Sequence, residues 1–292
     1  MAEKLLSVII TTYNRELNIV KRAIASVKKQ TYSNIEIIIV DDNLSNSKLS
    51  TRICAYCRKE NIIYLKQFGN QGACNARNLG VANSHGVYIA FLDDDDEWMP
   101  SKASEQVNFL KKGYGLVFCK GLKIYTEPIY IEEIYGNAVN FIQTPNFQDL
   151  LVKNYVGTTS QIMITRECFY KVKGFDPNFL ARQDYDFCIR VSRHYKLYGI
   201  DNILFKHYIH SEQQISKDIN KTMQGYKYLF QKYKKYYQKN RMAYINICCK
   251  ISKSYLHKNN YLMWIFIMLK ALSKNPSKAK YIIIKSSEHK IL

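Results

Sequence analysis

Short apolar runs rich in β-branched residues alternate with segments of helical spacing through roughly the first 120 residues. That alternation leaves few architectures open. Residues 5–11, 35–40, 62–66, 87–92 and 116–119 read as strands, and 16–30, 45–59, 73–82 and 100–112 as helices. A β-α-β-α order predicts an α/β fold, a mostly parallel sheet with helices on both faces. The strands are apolar almost throughout, as sheets buried on both sides require. From residue 121 to 161 the pattern breaks into short pieces, with a late strand at 161–165 and a helix over 184–195. Beyond residue 220 the chain reads as wholly helical, with breaks near Asn240, Asn259–Asn260 and Pro276. A boundary near residue 210 divides a sheet-forming region, 1–210, from a helical one, 211–292. With 292 residues and 47% hydrophobic content, the chain has enough apolar mass for one large domain and an appendage.

Ligands of open α/β sheets bind beyond the carboxyl ends of the strands, and those ends are polar here. The first strand runs into Thr11-Thr12-Tyr13-Asn14-Arg15, the second into Asp41-Asp42-Asn43, the third is followed by Asn70-Gln71-Gly72, and the fourth ends in Asp93-Asp94-Asp95-Asp96. Asp41 and Asp42 suit hydrogen bonds from a base or a ribose. Tyr13 offers a stacking face, and Arg15 and Arg77 offer phosphate donors. Two carboxylates ~6 Å apart repel by roughly 3 kcal/mol at an effective dielectric of ~20. Four in a row after a buried strand need an offsetting charge. One solution is Mg²⁺ or Mn²⁺, which takes one or two carboxylates together with phosphate oxygens. The other is a hydrated acidic turn capping the next helix.

Four motifs together resemble the family 2 glycosyltransferases of GT-A fold, in particular bacterial enzymes of capsule and O-antigen assembly. They are SVIITTYNR (7–15, with Thr11 where the family usually has Pro), VDDN (40–43), NQGACNARNLG (70–80) and FLDDDDEW (91–98), which contains a DxD. A fifth stretch, GFDPNFLARQDYDFCIR (174–190), carries Gln183-Asp184 where the family often has Glu-Asp. The resemblance implies an inverting transfer of a sugar from a nucleotide-diphosphate sugar, a UDP-sugar in most such enzymes, to a saccharide hydroxyl. It assigns Thr11, Tyr13 and Asp41 to the nucleoside pocket with Arg15 and Arg77 nearby, Asp94 to the ribose, and Asp93 and Asp95 to Mn²⁺ or Mg²⁺. Asp184 becomes the base that takes the acceptor proton. His210 resembles part of a segment closing over the nucleotide, as a metal or phosphate contact or else a surface histidine. Trp98 either stacks on a sugar or packs inside. Arg182 either touches the acceptor or pairs with an acid, and Asp186 is expected to orient its neighbours. A sugar nucleotidyltransferase would need a glycine-rich phosphate loop after the first strand, which TTYNR lacks. A non-catalytic sugar-nucleotide-binding scaffold would not need both the DxD and Asp184.

The net charge of +19 sits almost entirely in the last third. Residues 206–292 hold 18 Lys and Arg against three acids. Interleaved with Tyr and Trp, these cations suit a membrane interface with acidic lipid, and a polyprenyl-diphosphate-linked acceptor would lie there. The alternative is a helical hairpin packed on the catalytic region with solvated lysines. No nucleic-acid-binding module is recognisable. The eight cysteines lack zinc spacing and read as reduced thiols, Cys74 and Cys188 as packing residues. The first apolar run is followed by Tyr13-Asn14-Arg15, where a signal peptide would have a cleavage site. No apolar run reaches the ~20 residues of a membrane span. The expected location is cytoplasmic, peripheral on the inner face of the cell membrane.

Overall fold

Strand β1 (Leu6–Thr12) lies inside the parallel part of a sheet of nine strands among the described residues, in the order β3 (Ile63–Lys66), β2 (Ile35–Asp41), β1, β4 (Tyr88–Asp93). This computed structural model describes residues 3–126, 129–135, 141–209, 218–278 and 281–284. Beyond β4 the order continues β8 (Met163–Thr165), β6 (Leu116–Thr126), β9 (Leu197–Ile209), β5 (Glu97–Trp98), with β7 (Ile129–Tyr135) also on β6. Strand β8 is antiparallel to both β4 and β6, so the whole is a mixed sheet. The parallel expectation holds for the pairing of four of the five strands that the alternating pattern covered; the fifth, β6, lies antiparallel to β8 and β7 and parallel only to β9.

Period-two alternation sends β1 side chains to two cores. Leu6, Val8 and Ile10 meet Val20, Ala23, Ile24 and Val27 of helix α1 (Leu17–Lys28), Ile53 of α2 (Lys48–Lys59), and Ala103 and Val107 of α4 (Lys102–Leu110). Ile9 faces the opposite core, with Ala76 and Val81 of α3 (Ala73–Ala82). Helix α3 lies very close to the sheet: a Cβ on Gly80 would sit 2.4 Å from Ile9 Cγ2. Phe169 of α6 (Arg166–Lys171) and Phe187 of α7 (Gln183–Val191) join the same core.

Short helix α5 (Phe147–Val152) precedes a 3-10 turn at Thr159–Gln161. The expected breaks in the last third are helix caps. Asn240 accepts the Ala243 N–H at 3.0 Å and starts α10 (Arg241–Leu256); Asn260 accepts the Met263 N–H at 3.1 Å and starts α11 (Tyr261–Lys274). Helices α8 (Ile219–Lys232), α9 (Lys234–Lys239) and α10 are no detached tail. Tyr226, Leu229, Tyr233, Tyr237 and Ile247 are buried in the same cluster as Phe187. All eight cysteines are free thiols, and Cys74 and Cys188 are buried.

Candidate active site

Register brings the polar strand ends to one level. Thr12 pairs with Asp41, Asp41 with Lys66, and Thr11 with Asp93. Asn14 takes a left-handed φ of 49° and turns the chain out of β1, donating its N–H to Asn43 Oδ1 at 2.6 Å. Tyr13, 49% exposed, and the half-buried Thr11 thus stand at the rim of this row.

The two acids after β2 do different things. Asp41 is fully buried and accepts from the Asn43 N–H (2.8 Å), Asn43 Nδ2 (2.7 Å) and Tyr64 hydroxyl (2.6 Å), with the Lys66 ammonium 3.3 Å away. Burial pushes its pKa up, but hydrogen bonds with Ser50, Tyr64 and the Asn43 N–H and the Lys66 charge outweigh it. Asp41 therefore titrates below the ordinary carboxylate value. A cavity of about 230 Å³ opens beside it, lined by Tyr64, Lys66, Ser50 and Phe68. Asp42 fastens the next loop, accepting from Gln67 Nε2 (2.6 Å) and the N–H groups of Gln71 (3.0 Å) and Gly72 (2.9 Å). A larger cavity of about 720 Å³ lies at the other end of the sheet, against Tyr32, Ile35 and Ile63. It has no part in this row.

Two arginines hold the acidic run. Arg15 bridges Asp94 (Nε, 3.1 Å) and Asp95 (Nη2, 2.7 Å). Arg77, on α3, donates to Asp93 at 2.7 Å, and Thr159 adds its hydroxyl at 3.1 Å. Asp96 meets His207 Nδ1 at 2.9 Å, while its Oδ2 is buried with no hydrogen-bond partner among the described residues. Arg15 offsets only part of the crowding. Burial, the Arg15 charge acting against it, holds Asp94 up at about 6. Burial and the charges of Asp96 and Asp94 push Asp95 to about 7. His207 is held above its ordinary value: burial disfavours its charge, but Asp96 outweighs burial. The row is thus short of positive charge and rich in hard oxygen donors, which fits Mg²⁺ or Mn²⁺ at Asp93 and Asp95. Among the described residues no three His, Cys, Asp or Glu side chains are grouped to hold an ion by themselves. An ion held there by Asp93 and Asp95 would complete its shell with water or substrate oxygens.

Asp184 faces this row from α7. Burial raises its pKa and Asp93 pushes the same way, while Arg182 and Arg77 pull it down. Its loop is tied to α3 by Asn78, which accepts the Phe175 N–H (2.9 Å) and donates to the Phe175 carbonyl (2.8 Å). The motif around Arg77 therefore serves both sides of the cleft: Arg77 on Asp93, Asn78 on the Asp184 loop, Gly80 against β1. Arg182 caps α7 in a left-handed conformation (φ 66°) with its guanidinium over Tyr226 at 4.8 Å. Asp186 is a buried anchor for Tyr233 (2.8 Å), Arg190 (2.8 Å) and Lys232 (2.9 Å).

Trp98 takes the second of the two places left open to it, packed inside. It is 2% exposed, donates its indole N–H to the Ser160 carbonyl at 3.2 Å and carries the Lys102 ammonium on its ring at 4.0 Å. It is a core residue rather than a sugar platform. His210 lies outside the described residues; among the described residues, His207 on β9 meets Asp96. Sequence reading missed it because β9 was not recognised. It missed Thr159 because one hydroxyl in a broken stretch carries no signal.

Comparison with known proteins follows the same lines. The family model described as Glycosyl transferase family 2 matches residues 7–173. The chain is 29% identical over 278 residues to the putative colanic acid biosynthesis glycosyl transferase WcaA of Escherichia coli, covering 89% of this chain and 90% of that one. It is 27% identical over 265 residues to an uncharacterized glycosyltransferase of Haemophilus influenzae, covering 83% and 81%. The uncharacterized glycosyltransferase RP339 of Rickettsia prowazekii is 31% identical over 251 residues, covering 82% and 75%. Among solved structures, S. aureus TarS aligns with a TM-score of 0.58 at 13% identity, over 95% of this chain and 54% of that longer chain. TarS 1-349 in complex with UDP-GlcNAc aligns at 0.57 and 13%, over 96% and 88%. At such identities these structures bear on the fold alone.

Proposed function

This chain belongs to glycosyl transferase family 2 and has the GT-A fold, and on that premise we propose that it transfers a sugar from a UDP-sugar to a saccharide hydroxyl with inversion. The observation that carries the reading is the Arg77–Asp93 pair at 2.7 Å at the carboxyl edge of the sheet, close enough to Asp184 that both of its charges act on that carboxyl. Thr11, Tyr13 and Asp41 line the nucleoside end of that edge, Asp94 approaches the ribose, and Arg15 and Arg77 face the phosphates. Asp93 and Asp95 would hold Mn²⁺ or Mg²⁺, whose chemistry is to take up charge on a departing diphosphate.

Asp184 accepts the proton of the acceptor hydroxyl while that oxygen forms its bond to the anomeric carbon and the bond to the diphosphate breaks. A raised pKa suits this role, since it makes the carboxylate a stronger proton acceptor. Gln183, in place of a second acid, leaves Asp184 its raised pKa through burial rather than through a like charge beside it. Arg182 stands next to Asp184 and faces the acceptor. The acceptor saccharide is carried on a polyprenyl diphosphate, and the enzyme works peripherally at the inner face of an anionic membrane. The likeness to a putative colanic acid biosynthesis glycosyl transferase supports a polysaccharide acceptor, and the basic last third supports the membrane setting.

Turnover of a panel of UDP-sugars with Mn²⁺ and saccharide-lipid acceptors tests it. Asp184→Asn is expected to lower kcat by about 10²–10⁴-fold with the donor KM kept. Asp95→Ala is expected to abolish Mn²⁺-dependent UDP binding. Binding of UDP with no turnover of any donor by the unaltered protein would favour a scaffold instead.

A further inference from the structure

Helix α11 is apolar on two opposite faces. Its inner face packs Met268 and Ala271 against Ile245, Cys248 and Cys249 of α10. Its outer face carries Leu262, Ile265, Phe266 and Leu269, spaced i, i+3, i+4, i+7 and therefore on one stripe. These four are 82%, 46%, 50% and 59% exposed. A helix that only had to pack on α10 would turn polar residues outward. A contiguous exposed apolar stripe marks an interaction surface.

The charge around the stripe says what kind of partner fits. Residues 219–287 contain 15 Lys and Arg and no acid at all. Lys258, Lys270, Lys274 and Lys278 are exposed along α11 and beside its ends. Lys270 lays its ammonium over the Phe266 ring at 4.1 Å, so its stem runs along the apolar stripe and its charge sits at the edge. A second copy of this chain would bring the same cations face to face. An anionic lipid surface neutralises them and accepts the apolar side chains in one layer. No helix among the described residues is long and apolar enough to cross a membrane, so the contact is in-plane.

We propose that the outer face of α11 docks on membranes bearing anionic lipid, with Leu262, Ile265, Phe266 and Leu269 at the acyl boundary and the flanking lysines on headgroup phosphates. The inference deepens the proposed function and rests on it for its purpose, since it supplies the surface that holds the enzyme beside a lipid-borne acceptor.

The full chain is mixed with vesicles of phosphatidylcholine alone, or with about 30% phosphatidylglycerol, and sedimented. Binding to the anionic vesicles at least about tenfold tighter than to the neutral ones is expected, weakening with salt. Leu262→Glu with Phe266→Glu is expected to cut that binding at least about tenfold, and Lys270→Glu with Lys274→Glu to remove most of its salt dependence. UDP binding in solution should be unchanged in both variants, which separates failure of this surface from failure of the glycosyltransferase reading. Equal binding to both vesicle types, or full binding by the Leu262→Glu, Phe266→Glu variant, overturns the proposal. So does a dimer in sedimentation velocity that this variant abolishes, because the face would then join two copies.

Discussion

Arg15 spans two carboxylates that burial and mutual repulsion would otherwise protonate, and the result is an acidic row poised near neutrality. Asp94 and Asp95 titrate at about 6 and about 7, well above an unfolded aspartate. An acid whose folded pKa is raised holds more protons folded than unfolded, so its stability contribution falls as pH rises between the two values. Asp184 and His207, also raised, act in the same direction, each above its own ordinary value. The ligand-free protein is therefore expected to melt at a lower temperature at pH 8 than at pH 5, by a few kcal/mol of stability in all. Scanning calorimetry at the two pH values checks this, and Asp95→Asn should flatten the difference. These residues were legible in the sequence as a cluster because four consecutive aspartates after an apolar strand stand out. Their division of labour was not. Which acid Arg15 holds, and that Asp96 turns to His207, depends on side chains 79 to 111 residues apart.

The junction of α7 and α8 is where one element sets the geometry of another. A Cβ on Gly225 would lie 2.4 Å from the Ala181 carbonyl oxygen, and Tyr226 lies under the Arg182 guanidinium. A backbone carbonyl yields less readily than a side chain. Gly225→Ala is thus expected to push residues 181–182 and with them Asp184. We expect a loss of about 1–3 kcal/mol in stability and a fall in kcat with donor KM retained, read from melting and steady-state kinetics. Elements with strong local pattern were legible: β1 to β4 and α1 to α4 lie within a few residues of their expected places. Strand β9 was not, because Gly199, Asp201 and Asn202 are poor strand formers, and its pairing with β6 along an irregular register overrides that local preference.

At the scale of the whole molecule, the last third completes the core rather than hanging from it. Asp186 on α7 depends on Tyr233 and Lys232, and Asp176 on Lys232 at 2.7 Å. Each fully buried large side chain contributes about 1.5–3 kcal/mol, and Tyr226, Leu229, Tyr233, Tyr237 and Ile247 come from beyond residue 218. Their sum rivals the whole stability of a typical domain, about 5–15 kcal/mol. A chain cut after residue 210 is expected to be insoluble or molten, lacking the cooperative melting transition of the full chain. The change in composition near residue 210 marks a change in sequence character, while the buried contacts run straight across it.

The order of strands and helices in the first half, the place of the acidic run at a strand end and the helix breaks at Asn240 and Asn260 followed from sequence alone, because period, caps and charge act over a few residues. The burial of Trp98, the meeting of His207 with Asp96 and the seating of α8 beneath Arg182 were decided only by tertiary structure. Each joins residues distant along the chain, and local patterns carry no record of which distant surface a side chain will meet.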